Sequence, residues 1–129
     1  MEKAVTALID SVNVAIATGN VEPYESLTTD DCSCRALTAS VKEKFAGAAK
    51  SQGAEWSLES VRVEKQTRTR AEATITYRSA AYENIDQEGS VYQEFPATRS
   101  DSAVYFRWID GRWLAEDFDV LSKKEVDRP

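Results

Sequence analysis

The chain contains no histidine, one methionine, two cysteines, three prolines and five glycines in 129 residues. Without histidine it lacks the commonest metal ligand and the commonest general base near neutral pH. A zinc site would have to come from Cys32, Cys34 and carboxylates alone, a donor set that zinc seldom uses, so neither a metal nor a cofactor is expected. No run approaches the ~18 apolar residues of a membrane-spanning helix. The opening MEKAVTALIDSVNVAIATG is too polar on one face to be the apolar centre of a signal peptide. No segment of the sequence is therefore expected to cross a membrane as a helix. Positive charge is also in the minority, with 16 Lys and Arg against 22 Asp and Glu, a net charge of −6 and a pI near 4.7. That balance argues against nucleic acid and anionic headgroups as partners. The one basic stretch, Arg62, Lys65, Arg68 and Arg70, is interrupted by Glu59, Glu64 and Glu72 and reads as a solvated strand edge or turn.

At 42% hydrophobic and 29% charged residues, the composition is that of a folded domain without repeats or low-complexity segments. One domain is expected over 1–121, followed by a polar tail over 122–129. Val5, Leu8, Ile9, Val12 and Ile16 recur at helical spacing, which predicts a helix over 2–18 that stops at Gly19-Asn20. Pro23 suits the first turn of a short helix over 22–28. Leu37, Val41, Phe45 and Ala48 predict a third over 33–51, with Asp30 or Asp31 as its cap. After Gly53 the period becomes two. WSLESVRVEKQ changes parity near Ser60, which suggests a bulge. In AEATITYRS, Ala71, Ala73, Ile75 and Tyr77 share the inward face. NIDQEG reads as a turn or excursion, Pro96 interrupts a run too long for one strand, and Asp110-Gly111 marks a hairpin. The class is α+β: three helices packed on a strongly curved antiparallel sheet that forms a cone.

This order of elements, closed by FRWIDGRWLAEDFDV, resembles the nuclear-transport-factor-2-like (SnoaL-like, cystatin-like) superfamily over nearly the entire chain. More narrowly, AIATGNVEPYESLTTDDCSCRAL looks like a family of actinobacterial lipoproteins of unknown function that carry a paired-cysteine motif. That family separates its cysteines by two residues, whereas here only Ser33 intervenes. The narrower resemblance implies an extracytoplasmic lipoprotein of the cell envelope, attached to the membrane only through a lipid anchor outside this chain. The broader one implies a cone able to hold a small apolar ligand, in some members with lyase or isomerase chemistry, and a homodimer through the sheet in many.

Residues two apart in a regular helix point to nearly opposite sides, so Cys32 and Cys34 can join only where the chain bends before regular helix begins. Three readings are open: a structural disulfide, two buried thiols, or a redox pair at a helix N-terminus. Asp30 and Asp31 disfavour a thiolate, and no strand-turn-helix of the thioredoxin type surrounds the pair. The structural disulfide is therefore the expectation, and it fits the oxidising setting that the resemblance implies.

The aromatic side chains expected to line a cone pocket are Tyr24, Phe45, Trp56, Tyr77, Tyr105, Trp113 and Phe118, although at their spacings each is equally a core residue. Among the carboxylates only Glu116 stands out, in phase with Leu114, Phe118 and Val120. Pointed inward, it would be desolvated into a candidate acid or base. A bulge at Glu116-Asp117 would send it to solvent instead. Tyr24 and Asp30, near the mouth, are weaker candidates. Without histidine or an evident acid-base pair, the expected function is non-catalytic binding of a small apolar ligand or an envelope protein; a small lyase or isomerase using a carboxylate in the cone is the alternative.

If the pair is oxidised, alkylating the unfolded, non-reduced chain adds no label by mass, and prior reduction adds two. Cys32→Ser with Cys34→Ser should leave a folded domain that loses about 1.5 kcal/mol or less, because the closed loop is so short.

Overall fold

The computed structural model describes residues 1–46, 50–53 and 55–126. Helix α1 (Glu2–Thr18) forms where the apolar spacing places it, and Val5, Leu8, Ile9 and Val12 are all buried. It stops at Gly19, which is left-handed at φ 79° and donates its N–H to the Ala15 carbonyl at 2.8 Å. A side chain at this position would meet a second obstacle, since a Cβ would lie 2.9 Å from the Phe45 ring. Helix α2 (Glu22–Ser26) carries Pro23 in its first turn.

The third helix differs from expectation at both ends. It starts as a 3₁₀ turn, Ser33–Arg35, and continues as α3 (Ala36–Ala46). Neither aspartate caps it. The Cys32 sulfur accepts from the Cys34 N–H at 3.2 Å, while Asp31 accepts from the Thr29 hydroxyl at 2.7 Å. Lys50–Gln52, expected at the helix end, is strand β1. It pairs with residues Glu83 to Ile85, a long-range partner that no local pattern reveals. Ala48 lies outside the described residues.

Two antiparallel sheets follow. The main one has the order β2-β3-β6-β7, from β2 (Trp56–Gln66), β3 (Arg70–Ser79), β6 (Thr98–Ile109) and β7 (Arg112–Glu125). A smaller one, where only a turn or excursion was expected, joins β1 to β4 (Tyr82–Ile85) and β5 (Val91–Phe95). Its hairpin brackets the turn within NIDQEG, where Asp86 accepts from the Glu88 and Ser90 N–H groups, each at 2.9 Å. Pro96 separates β5 from β6, as expected. Asp110 at φ 50° and Gly111 at φ 84° make the tight turn from β6 to β7. Strand β7 outruns the expected domain limit at Leu121. It continues to Glu125, and the Val126 N–H donates to the Ala97 carbonyl.

The central strands β3 and β6 pair without interruption from Arg70↔Arg107 to Ser79↔Thr98. Each edge strand breaks register twice, leaving Glu59 and Glu64 unpaired on β2 and Glu116 and Leu121 unpaired on β7. An extra residue bends its strand and raises its twist, so the sheet curls around α1. The concave floor beneath the helix is built of small side chains, Ala71, Ala73 and Ala115, which let Leu8 and Val12 pack with Ile75, Val104 and Phe106. Each of the larger buried side chains contributes about 1.5–3 kcal/mol. Helix α3 leans on α1 through Val41, beside Ala15 and Val21. Among the described residues no helix is long and apolar enough to cross a membrane.

Gly19→Ala is expected to lower stability by about 2–3 kcal/mol in urea denaturation, of which ~1–2 is left-handed backbone strain and the rest displacement of Phe45. In a Phe45→Ala background only the strain should remain. An unchanged penalty in that background would mean that the ring does not pack on this glycine.

Candidate functional site

The site is built from two rows of residues that stand directly opposite one another across the main sheet. One is Tyr77, Ser100 and Lys123. The next is Trp56, Ser79, Thr98 and Glu125. Partners opposite one another share a face, and because Tyr77 is buried against the core, both rows face the concave side. Here α1 is ending and α3 stands away from the strands. Between them lies a cavity of about 490 Å³. Leu37, Val41 and Phe45 of α3 and Ile16 of α1 form its roof, and Tyr82 and Phe95 of the small sheet, with Pro96 just beyond it, form one wall.

Its aromatic surfaces are paired. Trp56 stacks on Tyr77 with centroids 4.4 Å apart and planes at 17°, and Tyr82 stacks on Phe95 at 4.6 Å and 16°. Trp56 is held by an amide pair: its N–H donates to Asn13 Oδ1 at 2.7 Å and its carbonyl accepts from Asn13 Nδ2 at 2.9 Å. Asn13 thereby does for β2 what a neighbouring strand would. Partial burial raises the Tyr82 phenol above its ordinary pKa. A wider, more open groove of about 940 Å³ runs along the other side of the same hairpin, past Arg78, Glu83 and Glu94. The smaller cavity is the candidate site because it is the one walled by the aromatic inner face.

Of the seven aromatic residues expected to line a pocket, Phe45, Trp56 and Tyr77 do so. Phe118 stands behind Tyr77, edge-on at 6.2 Å. Tyr24 is core; its hydroxyl donates to the Cys34 carbonyl at 2.9 Å, and burial pushes its pKa well above the ordinary phenol range. Tyr105 pairs with Asp117 and borders a shallow acidic depression with Asp31 and Asp119 on the other side of the sheet. Trp113 lies near the hairpin turn, edge-on to Trp108 at 5.1 Å. Tyr82, Phe95, Ser100, Lys44 and Lys123 were not anticipated. In VYQEFPA the polar Gln93 stands in phase between Val91 and Phe95, so no alternation marks Phe95, and nothing local shows that the excursion folds back over the cone.

Glu116 is not in the cavity. It is the unpaired residue between Phe106↔Ala115 and Tyr105↔Asp117. Before the bulge, odd-numbered residues of β7 face inward and buried Ala115 is one of them; after it, even-numbered Phe118 does. Extending the phase of Phe118 and Val120 back across the bulge inverts the face of Glu116. Its carboxylate pairs instead with Arg70 and, at 3.4 Å, with Arg107 Nε.

Cys32 and Cys34 form a disulfide with Cα atoms 5.1 Å apart, Cys32 in extended conformation just before the 3₁₀ turn. Both are buried. Arg35 fastens the same segment, donating from Nε to the Thr28 hydroxyl at 2.7 Å and from Nη2 to the Glu25 and Thr28 carbonyls at 2.9 and 3.1 Å. Asp30 lies 3.6 Å from that guanidinium, at the surface and away from the cavity lining. The loop then docks on β7, the Thr29 N–H donating to the Ala115 carbonyl and the Ala115 N–H to the Leu27 carbonyl, each at 2.9 Å. The pair pins a helix start to a sheet edge. Among the described residues no group of three or more Cys, Asp and Glu could hold a metal ion.

The architecture is the cystatin-like, nuclear-transport-factor-2-like α+β fold. The chain is similar to the intermembrane space region of the chloroplast protein ARC6, with a TM-score of 0.64 at 13% identity, covering 94% of this chain and 93% of that one. It is similar to the association domain of C. elegans CaMKII, with a TM-score of 0.58 at 15% identity over 92% and 93% of the two chains. It is also similar to a type 2 hexachlorocyclohexane dehydrochlorinase (LinA), with a TM-score of 0.60 at 8% identity over 98% and 88%. At these identities the likeness is one of fold. No curated protein matches in sequence. The model of a family of unknown function (DUF6318) matches residues 1–119, and the chain belongs to that family.

Proposed function

We propose that this domain works by binding, holding one small and largely apolar molecule in the cone as the folded part of a lipoprotein at the cell envelope. The observation that carries the reading is the cavity itself. Protein interiors hold few voids larger than a water molecule. A space of about 490 Å³ faced by two stacked aromatic pairs is of ligand size. The association domain and the dehydrochlorinase show that this fold serves both assembly and catalysis, so the choice rests on the site. Among the described lining residues the one carboxylate is Glu125, which is exposed at the rim. Glu116, the acid that a lyase or isomerase reading would use, is held by two arginines on the opposite face. The disulfide and the resemblance to actinobacterial lipoproteins support the envelope location.

N-phenyl-1-naphthylamine, an uncharged fluorophore, should bind saturably with a blue-shifted rise in emission. Ser100→Leu and Ser79→Leu each project a larger apolar side chain into the cavity, and each should weaken binding at least ~10-fold while circular dichroism is unchanged. Absence of saturable binding to the folded protein, or binding indifferent to both substitutions, would remove the cavity reading. Fractionation of cells that make the full-length protein should place it with the envelope; recovery in the cytosol would remove the location.

A further inference from the structure

The protein is acidic, with a net charge of −6, yet the cavity's described lining carries three lysines, Lys44, Lys123 and Lys124, against the single carboxylate of Glu125. The position of Lys123 is a consequence of register. Strict alternation from Val120, which stands opposite buried Ser102, would carry Ser122 and Lys124 onto the inner face. The extra residue Leu121 reverses the phase, so Lys123 stands opposite Ser100 on the cavity floor. By the same count Lys124, opposite Arg99, turns to the other face, where its charge bears on Asp101; among the described residues Lys123 forms no ion pair. From the α3 side the Lys44 ammonium stands 6.0 Å from the centroid of the Tyr82 ring. Polar groups continue inward on the same face. Ser100 is buried, and Ser102, one row deeper, is fully buried with a hydroxyl that has no partner among the described residues.

We infer that the ligand is an amphiphile with a single anionic group. Its apolar body lies against Trp56–Tyr77 and Tyr82–Phe95, and its carboxylate, sulfonate or phosphate is held at the rim by Lys123 with Lys44. This rests on the cavity reading above and adds the charge of the ligand. A lysine stem can lie along an apolar wall while its head stays in water, and clustered cations above low-dielectric walls concentrate an anion. A cavity of this size suits a free acid with one chain or one ring system rather than a two-chain membrane lipid.

The test compares two probes with the same aromatic body, 8-anilinonaphthalene-1-sulfonate and uncharged N-phenyl-1-naphthylamine. The sulfonate should bind about tenfold more tightly at low salt, and the advantage should shrink in 0.5 M NaCl, where the Debye length falls to a few ångströms. Lys44→Gln with Lys123→Gln should reduce the preference to about twofold, chiefly by weakening the sulfonate. Decanoate, but not vesicles of phosphatidylglycerol, should displace both probes. Equal affinities, or a preference that survives the double substitution, would overturn the anionic ligand and leave the cavity reading standing. Displacement by vesicles alone would overturn the free acid, and binding of neither probe would overturn both proposals.

Discussion

The main sheet is regular at its centre and irregular at its edges, and much of the molecule depends on that contrast. Strands β3 and β6 pair residue for residue, while β2 and β7 each accommodate two extra residues. Because side chains alternate, each insertion reverses the face of everything beyond it. Three of the four inserted residues are glutamates, and each meets arginine: Glu59 with Arg99 at 2.7 Å, Glu64 with Arg62 at 2.6 Å, and Glu116 with Arg70 and Arg107. These guanidinium groups hold the Glu59 and Glu64 carboxyls below their ordinary pKa. Exposed pairs of this kind stabilise little individually. Their shared position suggests a different role, keeping the bulged residue on the convex side and making the sheet edges unattractive for further strand pairing.

The cavity follows from what the helices cover. Helix α1 spans the part of the concave face made of alanine, where it can come close, and ends at Gly19 before it reaches the rows of Tyr77 and Trp56. Phe45 lies against that glycine, so α3 is anchored to the end of α1 and leaves the sheet beyond it uncovered. The small sheet closes one side. In the binding role proposed above, these aromatic walls are the receiving surface.

The disulfide lies outside the cavity lining. Together with Arg35 and the hydroxyl of Tyr24 it holds the segment between α2 and α3 against β7 at Ala115. Its burial separates it from solvent thiols and removes the exposure that a redox pair needs. The two regions are thus divided along the chain: the paired-cysteine segment fastens helices to the sheet, and the aromatic rows with the late strand residues line the cavity.

Local pattern alone was enough to place α1 and its glycine stop, the inward face of β3, the parity change near Ser60, the Asp110-Gly111 turn and the requirement that the cysteines lie outside regular helix. Each depends on backbone geometry over a few residues, and apolar spacing reports that directly. Three of the seven expected aromatic residues reached the cavity, because facing inward is a local property whereas standing beneath an uncovered part of the sheet is not. The end of α3, the small sheet, the outward face of Glu116 and the inward face of Lys123 were decided by tertiary structure. In each case the deciding partner is distant in the chain: β4 for Lys50–Gln52, β6 for the bulges of β7. A bulge is defined by the strand opposite it, so a single strand read alone cannot show where its faces exchange, and with them which of its charges faces the cavity.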